Sequence, residues 1–261
     1  MIAAERRNMI KDLLIKNKSV KVSDLVKQFK VSEETIRRDL NQLEKEGIVE
    51  KNYGGAILVD RKSPHPTVLP LQERKQQFAK EKELIGRKAA ELIEEGQTII
   101  LDAGTTTWHV ATGLAEKGPL TIITNAMNIA EQCTTNGDAS IYLLGGKLRR
   151  NSLSTVGPQA EEELKKYNAN YTFLGTSGIS LRHGFTSSDL YEAEMKKAMV
   201  LASQKRVVLA DHSKLQKAGL TSFCTFQDVD IFITSDLADK QVLEDIAKSG
   251  VEIIVVSTRE E

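Results

Sequence analysis

Cysteine, proline and aromatic residues are scarce in this chain. Its 261 residues hold two cysteines, five prolines and one tryptophan, with aromatics at 5%. Cys133 and Cys224 cannot make a disulfide framework, and neither has a second Cys or His at metal-ligand spacing. No structural metal or metal cofactor is therefore expected, and a reducing, cytoplasmic setting fits best. No apolar run approaches the roughly 20 residues that span a bilayer. The opening Met1-Ile2-Ala3-Ala4-Glu5-Arg6-Arg7 lacks the apolar core of a secretory signal, so no membrane partner is expected. Net charge is missing too, with 36 basic residues against 36 acidic ones. What is present, 40% hydrophobic and 28% charged residues, suits a globular protein. The charge is unevenly spread: through Lys62 there are 14 Lys/Arg against 10 Asp/Glu, a balance of +4, which leaves −4 for the remainder.

Three of the five prolines fall in Ser63-Pro64-His65-Pro66-Thr67-Val68-Leu69-Pro70. Proline removes backbone donors and biases its predecessor away from the helical region, so an extended connector is expected. The reading is a small domain over 1–60, a linker over 61–77 and a larger domain over 78–261. In the small domain, Ile10, Leu13 and Leu14 recur at helical spacing. A short helix over Ser23–Phe29 turns Leu25, Val26 and Phe29 inward. After the turn Lys30-Val31-Ser32, Ser32 is a good N-cap for a third helix from Glu33 to about Glu46, which Gly47 ends. That helix buries Ile36, Leu40 and Leu43 at i, i+4 and i+7. Residues Ile48 to Val59 alternate around Gly54-Gly55 and predict a β-hairpin.

Two helices, a tight turn and a hairpin follow the plan of a winged helix-turn-helix, with the helix-turn-helix at about 20–39. The apolar stripe leaves Ser32, Thr35, Arg37, Arg38 and Asn41 facing outward, able to enter a major groove of double-stranded DNA. Arginine can clamp phosphate or read guanine, and hydroxyls bond phosphate or base edges. Lys51 and Tyr53 at the hairpin tip reach the flanking backbone. Asp39 is expected to pair with a nearby arginine or to orient Arg38. The run Arg6…Ile10…Leu14…Ser32-Glu33-Glu34-Thr35-Ile36-Arg37-Arg38-Asp39-Leu40, with Glu44-Lys45-Glu46-Gly47-Ile48-Val49 and Tyr53-Gly54-Gly55-Ala56, closely resembles the signature of DeoR-family transcriptional regulators. The resemblance covers residues 3–58 and implies a sequence-specific DNA-binding function, with repression the commoner sense.

The larger domain opens with a helix over Ala79–Glu95 and then alternates strands with helices. Strands are expected at Thr98–Leu101, Leu120–Ile123, Ser140–Leu144, Tyr171–Leu174, Arg206–Leu209, Asp230–Ile233 and Glu252–Val256. That rhythm predicts an α/β, Rossmann-like domain on a mainly parallel sheet. Ligands bind such sheets at the carboxyl ends of the strands. Those ends carry Asp102-Ala103-Gly104-Thr105-Thr106-Thr107, Thr124-Asn125, Gly145-Gly146, Ser177-Gly178 and Asp211-His212-Ser213-Lys214. The backbone at Gly104, Thr105 and Thr106, opening into a helix near Trp108, can surround a phosphate. Lys214 supplies charge, and Asp102, Asn125 and Asp211 bond hydroxyls. The same loops resemble the DeoR-family sensor domain, which is related to ribose-5-phosphate isomerase. The resemblance covers about 75–235 and implies a phosphorylated sugar or polyol as effector.

It also raises an alternative, a sugar-phosphate isomerase-like enzyme with an accessory DNA-binding module. Isomerases take acidic residues from the loop after their fourth strand, and Gly175-Thr176-Ser177-Gly178 has none. Glu192, Glu194 and Lys197 follow on one helical stretch, where Glu194 could act as a lone base, although with Lys197 it reads more simply as a surface pair. No catalytic residue and no cofactor is assigned. A single recognition helix covers a half-site, so a homo-oligomer, dimer or tetramer, is expected on DNA.

Overall fold

The computed structural model describes residues 3–17, 19–45, 48–52, 54–58 and 71–259, and the chain divides into two units at Val68/Leu69. In the first unit, α1 (Ala3–Asn17), α2 (Val22–Phe29) and α3 (Glu33–Lys45) share a core with a three-stranded antiparallel sheet. Its strands are β1 (Ser19–Lys21), β2 (Val49–Asn52) and β3 (Gly55–Leu58), in the order β1-β3-β2. The apolar stripes meet as their spacing predicts: Ile10, Leu14, Leu25, Ile36, Leu40 and Leu43 are at most 1% exposed. Strand β1, three residues long, carries no alternating signal and was not expected. The two wing glycines answer different needs. Gly54 turns the chain at φ +102°, whereas a Cβ on Gly55 would lie 2.2 Å from the Val20 carbonyl oxygen, where β1 and β3 pair. Asp39 does find an arginine, but it is Arg6 of α1. The pair is buried, with Arg6 Nε donating to Asp39 Oδ2 at 2.6 Å.

The second unit begins with α4 (Leu71–Gln76) and α5 (Ala79–Glu91). Residues 61–70 of the expected linker lie outside the described residues, while Leu71–Gln76, assigned to it by sequence, are helical. Helix α5 stops at Glu91 rather than Glu95, because the amides of Leu92 and Ile93 tighten onto Ala89 and Ala90. There follow β4 (Thr98–Leu101), α6 (Thr105–Thr112), β5 (Thr121–Thr124), α7 (Met127–Cys133) and β6 (Ser140–Leu143). After a hairpin of β7 (Lys147–Arg149) and β8 (Ser154–Val156) come α8 (Pro158–Leu164) and β9 (Ala169–Gly175). Next are β10 (Gly178–Ser180), β11 (Gly184–Ser187), α9 (Leu190–Leu201), β12 (Ser203–Leu209), β13 (Thr221–Cys224), β14 (Ile231–Ser235), α10 (Lys240–Ala247) and β15 (Glu252–Val256).

Seven of these strands form one parallel sheet, in the order β15-β14-β12-β9-β4-β5-β6. Alternation along β4 shows how it is covered. Ile99 and Leu101 join a cluster with Ile85, Val110 and Ile129 of α5, α6 and α7. Ile100 joins the opposite cluster with Leu164, Met199 and Ile246 of α8, α9 and α10. The hairpin β7–β8 and a second antiparallel sheet, β10-β11-β13, grow from the carboxyl ends of β6, β9 and β12. Neither was expected from the sequence. They build up the carboxyl-end edge of the sheet, the edge at which open α/β sheets in general take ligands.

Candidate nucleic-acid interface and candidate anion pocket

In the first unit Ser32 caps α3. Thr35 N–H donates to its hydroxyl at 3.3 Å, and the two hydroxyls lie 2.8 Å apart. Arg37 and Arg38 project from the solvent face, their side chains 56% and 79% exposed. Arg37 donates through Nε and Nη2 to Glu33 Oε1 at 2.9 and 2.6 Å, and Arg38 Nη2 to Glu34 at 3.1 Å. Lys51 of β2 reaches back to α3, donating to Asn41 Oδ1 at 2.6 Å and pairing with Glu44 at 2.9 Å. A cleft of about 250 Å³ between helix and wing is lined by Val22, Arg37, Leu40, Asn41, Lys51 and Gly55. Six of the seven residues expected to meet DNA are thus placed on this unit; Tyr53 lies outside the described residues.

In the second unit the residues at the strand ends divide. Helix α6 starts at Thr105, three residues earlier than Trp108, with extended Gly104 (φ −167°) as its N-cap. Thr105 and Thr106 therefore occupy the first turn, where backbone N–H groups have no helical acceptor. A Cβ on Gly104 would press on Thr107 Oγ1 at 2.8 Å, so close packing, rather than an unusual φ, asks for glycine there. Asp102, at the end of β4, is buried. It accepts from Gly175 N–H at 3.0 Å and pairs with Lys196 of α9, whose ammonium also donates to the Gly175 carbonyl. Burial lifts the Asp102 carboxyl above the usual carboxylate range even though Lys196 opposes the shift.

Asp211 is likewise buried. It accepts from Ser213 N–H and hydroxyl and lies 3.8 Å from the Lys82 ammonium. Lys82 of α5 also donates to the Arg74 carbonyl at 2.6 Å, capping α4. Three cations thereby share one neighbourhood. Burial lowers the Lys82 pKa to about 8, with Lys214 and Arg74 adding repulsion and Asp211 opposing. Burial likewise lowers Lys214, with Lys217 and Arg74 repelling it. Burial lowers Arg74 as well, against the pull of Glu192 and Asp102 and with a push from Arg149. The hairpin contributes that Arg149, paired with Asp189 and, at 3.4 Å, with Glu192. Among the described residues, Arg74 Nε and, at the end of β5, Asn125 Oδ1 are buried without a hydrogen-bond partner.

Other expected residues are engaged in holding the fold. Thr124 is fully buried, its hydroxyl donating to Leu101 and accepting from Ala126. Gly145 N–H donates to Glu163, and a Cβ on Gly146 would lie 3.0 Å from the Val156 carbonyl oxygen. Ser177 and Gly178 belong to the turn and first residue of β10, with Ser177 N–H donating to Thr186. Their polar groups serve the antiparallel sheet. His212 bonds Glu81 through its backbone and its ring, and Glu194 forms a surface pair with Lys197. Sequence reading missed Arg74, Lys82, Arg149 and Lys196, which no spacing rule links to the strand ends.

Residues 6–62 match the DeoR-like helix-turn-helix domain, and residues 77–236 match the DeoR C terminal sensor domain. The chain belongs to the DeoR family. Among curated relatives of this regulator, the uncharacterized HTH-type transcriptional regulator YulB of Bacillus subtilis is 37% identical, over 94% of this chain and 95% of that one. The HTH-type transcriptional repressor GlcR, also of Bacillus subtilis, is 32% identical over 100% and 99%. Ribose 5-phosphate isomerase from Plasmodium falciparum is a structural neighbour at TM-score 0.39 and 18% identity, covering 53% of this chain and 54% of that one. The DeoR-family chain thus joins a DNA-binding helix-turn-helix unit to an α/β sensor unit. No helix among the described residues is long and apolar enough to cross a membrane.

Proposed function

We propose that this DeoR-family chain is a repressor of an operon for sugar or polyol use, acting in the cytoplasm as a homo-oligomer and relieved by a phosphorylated sugar or polyol. The observation that carries the effector class is the convergence of Arg74, Lys82 and Lys214. Lys82 is buried, Arg74 and Lys214 are half-buried, and each is held below its ordinary pKa by desolvation and by neighbouring positive charge. Cations gathered at such cost are stabilised when an anion arrives. Thr105 and Thr106 in the first turn of α6 offer amides to the same kind of group. The unpartnered Asn125 Oδ1 supports a hydroxyl donor beside it. Asp102 is engaged with Lys196, which favours a role in holding the pocket over one as a base. Repression is the sense carried by the name of GlcR. On the DNA side, Ser32, Thr35, Arg37, Arg38, Asn41, Lys51 and Tyr53 are proposed to meet the duplex.

A thermal-shift screen tests the effector class. A phosphorylated sugar or polyol at about 100 times its Kd adds about 2.7 kcal/mol to the stability of the sensor unit, a rise of several degrees. The unphosphorylated compound gives none, Lys214→Ala loses the rise, and no product forms on incubation. No rise with any phosphorylated compound, or turnover to an isomer, overturns the reading.

A further inference from the structure

The three cations proposed to meet DNA are each matched by a carboxylate from α3. Arg37 holds Glu33, Arg38 holds Glu34 and Lys51 holds Glu44, at 2.6, 3.1 and 2.9 Å. All three pairs lie toward solvent, with side-chain exposures from 36% to 79%. Exposed pairs of this kind add little to stability. Their weight falls instead on the approach to DNA. A phosphate backbone attracts whatever uncompensated positive charge a protein offers it, irrespective of sequence. Here that charge is cancelled on the reading face itself.

We propose that Glu33, Glu34 and Glu44 are specificity-determining residues, which restrain Arg37, Arg38 and Lys51 from indiscriminate phosphate contact. On random DNA, each cation must leave its carboxylate for a phosphate, and the carboxylate is then left beside a phosphate of like charge. On the correct sequence, bidentate base contacts by the arginines fix the register that also seats Lys51 on the flanking backbone, and they reward the exchange. The carboxylates thus suppress non-specific binding more than specific binding. Two other roles make different predictions. Glu33 and Glu34 sit in the first turn of α3, where acidic residues stabilise a helix; loss of that role lowers stability without strengthening DNA binding. A glutamate that read cytosine would, once removed, cost affinity for the preferred sequence.

The inference rests on the assignment of Arg37, Arg38 and Lys51 to DNA. Its test uses the full chain, a random-sequence 30-base-pair duplex, and the sequence that the wild-type protein enriches from a random library. Affinities are measured by fluorescence anisotropy across a salt series. Glu33→Gln, Glu34→Gln and Glu44→Gln are each expected to tighten binding to the random duplex by about three- to tenfold near 0.1 M salt. The slope of log K against log salt should steepen by about one unit per carboxylate removed. Binding to the enriched sequence tightens less, so the specificity ratio falls. Glu116→Gln, an exposed change of the same charge in the sensor unit, leaves both affinities unchanged. Unchanged affinity for the random duplex overturns the proposal, as does selective loss of the enriched sequence. If Arg38→Ala alters neither affinity, the docking assignment itself fails. If Arg38→Ala weakens binding and the glutamine variants do not strengthen it, only the restraint fails.

Discussion

At the scale of single residues, Lys82 links stability and ligand binding in opposite directions. Its pKa of about 8 in the folded protein lies below the ordinary 10.5. Between these values the unfolded chain binds a proton that the folded chain does not, so the stability of the sensor unit rises as pH goes from about 8 to 10.5. An anionic effector prefers the protonated lysine, so its affinity falls over the same window, by about tenfold per pH unit at most. Calorimetric titration from pH 7 to 9.5 is expected to show that loss, and Lys82→Arg, which stays charged, to reduce it. Arg38 gives the matching prediction on the other unit. At 79% side-chain exposure, with a single exposed partner at the adjacent turn, Arg38→Ala leaves the melting temperature within about 1 °C. In a gel shift it abolishes operator binding. These two residues also show how uneven the sequence signal was. Arg38 stood out because a helical period and a capping serine place it on an outer face. Lys82 did not, because its partners Asp211 and Lys214 are more than 120 residues away and its own helix looks like an ordinary charged surface. The Asp102–Lys196 pair was hidden for the same reason, its members lying 94 positions apart in the sequence.

At the scale of elements, legibility followed the strength of local periodicity. Strands β4 and β15 and helix α3 sit where short apolar runs and the 3.6-residue stripe predict: β4 is covered on both faces, β15 is an apolar run at the sheet edge, and α3 turns its stripe into the small core. The pieces that escaped are short and are held by distant contacts. Strand β1 has only three residues, the β7–β8 hairpin has three in each strand, and β10-β11-β13 joins segments more than 30 residues apart. Helix α4 was lost in the linker because the prolines before it end at Pro70. The first unit depends on two fixed points that a helix pattern does not display. Asp39→Ala strands the Arg6 guanidinium in a buried setting and is expected to cost about 3 kcal/mol. Hydrogen exchange of α3 amides in the full chain should then accelerate by about a hundredfold. Gly55→Ala forces β3 away from Val20 and is expected to expose the amides of β1 and β3 to exchange. Protection unchanged in either variant contradicts this view of the small core.

At the scale of the whole molecule, a DNA-reading unit and a sensing unit matter only if binding at one changes the other. Coupling requires the effector to bind two states of the protein unequally. Helices α4 and α5 begin the sensor unit immediately after residues 59–70 and carry Arg74 and Lys82. We propose that effector contact with these two residues is the first step of the signal, and that it alters how copies of the chain pair. One recognition helix spans a half-site, so two copies are needed for a full site. Sedimentation is expected to show a dimer or larger assembly whose DNA-bound fraction falls on adding effector.

The most direct test is anisotropy of the library-enriched DNA bound to the full chain, titrated with the phosphorylated compound that gives the largest thermal shift. Saturating compound is expected to weaken DNA binding by at least tenfold in the wild type. Lys214→Ala should bind the same DNA with unaltered affinity and ignore the compound. DNA affinity that does not change at saturation, or a Lys214→Ala protein that responds like the wild type, would contradict an anion pocket in command of the recognition helix.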